Sequence, residues 1–153
     1  MLNWTPEYWN QKPYMKWAGA RVLKAADGRS TLELLVQEHH RGAAPESEAV
    51  NGAILAYLHD VAQGVAVCSS LGSDVLMIAT ISLNIDYLLP MLAKESLYGD
   101  GTAVRIGGGI AFAQSEFRNA AGIVCSRANG TFRIRREPKG QAAGCTDLLS
   151  GSA

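Results

Sequence analysis

Val50-Asn-Gly-Ala-Ile-Leu-Ala-Tyr-Leu-His-Asp-Val-Ala-Gln-Gly-Val-Ala-Val67 is the stretch on which the reading of this chain turns. Large apolar residues recur at Ile54, Tyr57, Leu58, Val61 and Val65, the i, i+3, i+4 spacing of a helix with a core-facing stripe. A second stripe, Ala53, Ala56, Asp60 and Gly64, has the same spacing and small side chains, so a neighbouring element can approach the helix backbone closely. A carboxylate stands in the middle of it. Taking an ionised carboxylate out of water costs several kcal/mol unless it is paired, and alanine would serve packing better. Asp60 therefore reads either as a reagent or as a carboxylate solvated on the outer side of the helix, where most aspartates lie. Its helix-propensity cost relative to alanine, ~0.5–0.7 kcal/mol, is too small to separate the two.

Working outward, the chain alternates between strand and turn signals. Thr5-Pro6-Glu7 opens a short helix with a capping hydroxyl, proline at the first helical position and an acid near the positive end of the dipole. Five of the eight Trp and Tyr residues fall within the first seventeen positions, an aromatic lid or a staple over a core edge. Residues 20–25 and 31–37 flank Asp27-Gly28, a hairpin signal. A polar loop, 39–48, leads into the helix. Beyond Gly72, Val75, Met77, Ala79, Ile81, Leu83, Ile85, Tyr87 and Leu89 alternate with Thr80, Ser82, Asn84 and Asp86, which predicts a long strand with one buried face that ends at Pro90. Three further strands are expected over 95–105, 110–118 and 122–135. From Glu137 to Ala153 the chain is rich in Gly, Ser and Ala without periodicity, and a disordered tail is expected after a single domain over 1–136. Two strands, one long helix and four strands make an α+β fold in which a curled antiparallel sheet packs on a central helix.

Composition excludes more than it identifies. Fourteen basic residues balance fourteen acidic ones, so no global field draws the chain to nucleic acid or to an anionic membrane. No apolar run approaches the ~20 residues that span a bilayer, and the first residues lack the pattern of a signal peptide. Cys68, Cys125 and Cys145 are odd in number and scattered, which predicts reduced packing residues in a cytoplasmic protein. His39 and His40 have no third ligand at metal spacing and read as a surface loop, so no metal site is expected. His59 points away from Asp60, since adjacent helical residues do not face one another, and reads as a satisfied core or interface histidine.

The element order resembles the hotdog fold, a curved antiparallel sheet wrapped around one long helix. The chain is similar to acyl-CoA thioesterases of the phenylacetate-pathway and 4-hydroxybenzoyl-CoA type. The likeness rests on residues 18–28, on Asn51-Gly-Ala53 through Asp60, and on Thr80 through Pro90, and it covers about residues 15–135. The family shows His-Gly-Gly at the helix start and a carboxylate further along the same helix.

The resemblance implies a metal-free hydrolysis of an acyl-CoA thioester, with no cofactor beyond the CoA of the substrate. Gly52 and Ala53 match the two glycines whose N–H groups hold the thioester carbonyl. Asp60 matches the carboxylate that acts as nucleophile or general base. In this family the site forms between subunits, so a homodimer or a dimer of dimers is implied. Asn51 stands in place of the histidine and Ala53 in place of the second glycine. Leu89 stands where some relatives have a serine, and Pro45 where some have an asparagine. Gly107, Gly108 and Gly109, with Arg105, match the strand connection near the CoA phosphates, or form a plain hairpin with an edge arginine. Two other functions fit the same fold: a hotdog dehydratase or hydratase, and a non-catalytic acyl-CoA binder or assembly protein. The first is disfavoured by Asn51, which cannot relay a proton near neutral pH.

Overall fold

A computed structural model describes residues 4–42, 44 and 46–137; Pro45, Cys145 and all of the expected tail after Glu137 lie outside the described residues. Two short helices, α1 (Pro6–Asn10) and α2 (Pro13–Ala18), precede β1 (Ala20–Ala26) and β2 (Arg29–Leu35). The long helix α3 (Gly52–Cys68) follows, then β3 (Val75–Tyr87), β4 (Ser96–Ile106), β5 (Ile110–Arg118) and β6 (Val124–Arg136). The six strands form one antiparallel sheet in the order β1-β2-β4-β5-β6-β3, which leaves β1 and β3 as its edges. The Asp27-Gly28 turn joins β1 to β2 with both residues at positive φ, 51° and 73°, as a two-residue hairpin requires.

The sheet curls around α3. Leu32, Leu34, Leu97 and Phe117 meet Leu55, Leu58 and Ala62 in the main core, and a second cluster gathers Val67, Val75, Ala111, Phe132 and Ile134. Gly101 sets how closely helix and sheet approach. A Cβ there would stand 2.4 Å from the Ala62 carbonyl oxygen, which Ser30 Oγ holds at 2.7 Å.

The buried arc of α3 is wider than the expected stripe and rotated from it. Leu58 and Val65 are buried, but Ile54, Tyr57 and Val61 are half-buried, while Leu55, His59, Ala62, Gln63 and Ala66 are enclosed. His59 and Gln63 can be inside because the sheet supplies partners. His59 Nδ1 lies 2.7 Å from Ser115 Oγ and Nε2 2.9 Å from Ser126 Oγ, and Gln63 Nε2 donates to Ser115 Oγ at 2.8 Å. His59 is thus a satisfied core histidine.

The phase of β3 differs from the simple alternation expected of it. Register breaks at Leu76 and at Ile81, each an extra residue that no partner on β6 opposes. Each bulge reverses the side that follows. Met77, Ala79 and Ile81, expected inside, are exposed, and Thr80, expected outside, turns toward α3. His40 is a second correction. It is no surface residue: a 3₁₀ turn over Glu38–His40 folds its ring inward, where Nδ1 accepts the Gln37 N–H at 3.0 Å and 1% of the residue remains exposed.

Candidate active site

The start of α3 is built by Asn51. Its backbone is extended and its side-chain oxygen accepts the Ala53 N–H at 2.9 Å, the usual capping bond. The Asn51 carbonyl accepts from Ile54 and Leu55. That leaves the N–H of Gly52, the first helical residue, without an acceptor among the described residues, at the positive end of a 17-residue helix. Tyr87, at the end of β3, donates its hydroxyl to the Gly52 carbonyl at 2.8 Å and packs its ring against the glycine. Gly52, Tyr87, Leu89 and Pro90 line one cavity of about 240 Å³. The structure therefore brings Gly52 and Leu89 to one cavity, with Asn51 capping the helix start beside it, while Ala53 lines a separate cavity with Trp17 and His40.

Asp60 lies elsewhere. It is eight residues along the same helix, about 12 Å at 1.5 Å per residue, too far to reach a carbonyl held by Gly52. Of the small-residue stripe, Asp60 meets Thr80 and Gly64 meets Ile78 on β3, while Ala53 lines a separate cavity with Trp17, Leu34 and His40. Thr80 Oγ1 donates to Asp60 Oδ1 at 2.6 Å, and Asp60 is half-buried. It forms one wall of a cavity of about 400 Å³ between α3, β3 and the N-terminal aromatic residues. Tyr57 and Cys68 line the same space. Burial first, then Tyr14 and Asp60, pushes the Tyr57 phenol up to about 12, and burial pushes the Cys68 thiol to about 12. Both stay protonated near neutral pH, and Asp60 is the one carboxylate residue among those that line this cavity.

Residues 48–126 match the thioesterase superfamily. A Halobacterium salinarum protein that carries the name of an esterase is 32% identical over 130 residues, 80% of this chain and 85% of the relative. The chain belongs to the thioesterase superfamily. Its sheet and helix are the hotdog fold, shared with the Haemophilus influenzae thioesterase HI1161 (TM-score 0.76, 14% identity, 88% of this chain and 93% of that one). The E. coli PaaI protein of the phenylacetic acid degradation operon has the same fold (TM-score 0.73, 17% identity, 84% and 88%).

Within this hotdog chain the glycine triplet sits apart from the helix start. Gly109 O accepts from Ile134 near the end of β6, whereas Tyr87, against Gly52, pairs with Ser126 near its beginning. Eight residues of strand, roughly 26 Å, separate the two. The triplet is nearer Asp60, whose partner Thr80 pairs with Phe132. Gly107 N–H closes the turn on Ile110 O, and Arg136 Nε donates to Gly108 O at 3.3 Å. Arg105 is exposed beside it and belongs to no ion pair among the described residues. No group of His, Cys, Asp and Glu among the described residues is arranged to hold a metal ion. No helix among the described residues is long and apolar enough to cross a membrane.

Thr80 and Trp9 line the Asp60 cavity, and neither was expected there. Alternation put Thr80 on the outer face, and only the bulge reverses it. Trp9 was visible as part of an aromatic cluster, but nothing local says which cavity that cluster closes.

Proposed function

We propose that the protein hydrolyses an acyl-CoA thioester to a free acid and CoA, at a site that two subunits share. The observation that carries this reading is the spacing on α3: an unpaired helix-start N–H at Gly52 and a carboxylate at Asp60, about 12 Å apart on one rigid helix. A single thioester cannot use both groups of one chain. It can use Gly52 of one subunit and the carboxylate of another.

In this mechanism the thioester carbonyl accepts the Gly52 N–H, with the helix dipole behind it. A preorganised donor of this kind contributes about 3–4 kcal/mol to stabilising the tetrahedral intermediate. Asp60 of the other subunit either takes a proton from the attacking water or attacks the carbonyl carbon itself, with water then cleaving the anhydride. The C–S bond breaks, the thiolate is protonated, and acid and CoA leave. Arg105 and the glycine triplet, on the subunit that supplies Asp60, take the CoA phosphates. Edge strand β3 and the exposed Tyr87, Leu88, Leu89 and Leu92 beside it are the surface over which the subunits meet.

One observation favours a second reading, a hotdog protein that binds acyl-CoA without turnover: Asn51 occupies the Ala53 N–H that a two-donor oxyanion site would use. Release of free thiol from a panel of acyl-CoAs, run beside thermal shift with CoA, separates the two. Thiol release supports hydrolysis. A thermal shift without release supports the binder, and neither signal sinks both.

A further inference from the structure

The cavity beside Asp60 is closed on its far side by residues that precede the sheet. Trp4 and Trp9 stack at 5.6 Å between ring centroids, with Tyr8 edge-on to both. This cluster is held as a wall. Thr5 caps α1, Pro6 begins it, and the Asn10 amide both donates to Val22 O at 3.0 Å and accepts Val22 N–H at 2.8 Å. Those two bonds tie α1 to edge strand β1, and Lys12 Nζ lies 3.8 Å over the Tyr8 ring. Trp9 is 9% exposed. On the opposite side, α3 leaves the space open at Gly64, where an added Cβ would make only ordinary contact with Ile78 and Phe132.

We infer that this cavity receives the acyl group of the substrate and that Trp9, with Trp4 stacked on it, sets the limit on acyl length. The inference rests on the acyl-CoA reading above and names the substrate class: compact acyl groups, short or singly ringed. Three features agree. The reagent carboxylate stands on the cavity wall, so the carbonyl carbon lies at its mouth. The walls are mostly aromatic and apolar, with Asp60, Thr80 and the Cys68 thiol as the exceptions. The volume of about 400 Å³ is at the small end of ligand cavities, and the wall that ends it is fixed on both sides. A second, smaller cavity of about 220 Å³, between Trp17, Leu34, His40 and Ile54, lies beside Ala53 and holds no carboxylate.

Three variants test the assignment on straight-chain acyl-CoAs from acetyl to dodecanoyl, each scored as ratios of kcat/KM between chain lengths so that loss of folded enzyme cancels. Trp9→Leu extends the cavity and raises the ratio for the first chain length that the wild type rejects by roughly tenfold, the scale of one fitted methylene. Gly64→Leu fills the cavity and lowers the ratio for the longest accepted chain by about the same factor. Opposite shifts support the cap. Because Trp9 belongs to the core, Gly64→Leu decides alone should Trp9→Leu not fold. If the wild type hydrolyses the panel but both profiles match it, the cap is wrong and the thioesterase reading stands. If Trp17→Ala moves the profile and the other two do not, the acyl group occupies the smaller cavity and the cap is wrong. If the wild type releases no thiol from any member, the thioesterase reading falls and takes the cap with it.

Discussion

Thr80 on edge strand β3 donates its hydroxyl to Asp60 on the central helix at 2.6 Å. The bond exists because the extra residue at Leu76 brings Thr80 to the α3 side, and the one at Ile81 restores the original alternation beyond it. It fixes one oxygen of a carboxylate that lines the cavity. The hydroxyl orients the carboxylate, as the base or nucleophile of the proposed mechanism needs.

Asp60→Asn should lower kcat at least a hundredfold, the low end for loss of a positioned base. The amide oxygen can still accept from Thr80, so the fold and the thermal shift with CoA should persist. Full turnover in a well-folded variant would show that Asp60 is ordinary surface.

Thr80→Val keeps the shape of the side chain and removes the hydroxyl. About a tenfold fall in kcat with KM little changed is expected, and Thr80→Ser should restore most of it. A loss of stability that accounts for all of the lost activity, read from denaturant titration, would reduce Thr80 to a structural role.

Gly52→Pro removes the unpaired N–H at the one helical position where proline is tolerated, and Asn51 already has the extended backbone that proline requires before it. Its kcat should fall roughly 10²–10³-fold. On the proposed shared site, co-expression of Gly52→Pro with Asp60→Asn chains should recover about a quarter of wild-type activity, from mixed dimers with one intact site each. No recovery, or a fully active monomer in sedimentation, overturns the shared site.

His59 is buried against Ser115, Ser126 and the edge of Phe117, and burial pushes its imidazole down to about 4. The unfolded chain binds this proton near pH 6.5 and the folded one does not. Stability should therefore be complete above about pH 6.5 and fall as the pH drops toward 4, by ~3 kcal/mol at most. The depressed carboxyl of Glu33, held down first by Arg21, adds its own loss only at lower pH. Denaturant midpoints measured across this range in wild type and His59→Gln check it; equal slopes remove His59 as the cause.

Arg105→Ala should raise KM for acyl-CoA more than it lowers kcat, the mark of lost uniform binding. An unchanged KM would leave the glycine triplet as a plain hairpin.

Much of this molecule was legible as local chemistry. Thr5 and Pro6 announce α1, Asp27-Gly28 announces the first hairpin, and Asp60 and Gly64 of the small-residue stripe on α3 do receive a neighbour, β3. Asp60 stood out because a carboxylate is costly where alanine would pack. These signals operate within a turn or two of chain, so spacing alone carries them.

What only the tertiary structure decided lies between elements distant in sequence. The bulge at Leu76 reversed the faces that alternation assigns and the one at Ile81 restored them, because an extra residue is tolerated wherever the partner strand allows it, and no residue type marks it. His59 and Gln63 are inside because serines more than fifty residues away meet them. The sequence by itself determined the order of elements and the presence of an out-of-place carboxylate. The fold alone determined that Thr80 holds that carboxylate and that Trp9 lines the cavity beside it, because both contacts join residues far apart in the chain, whereas the distance from Gly52 to Asp60 follows from helix rise alone.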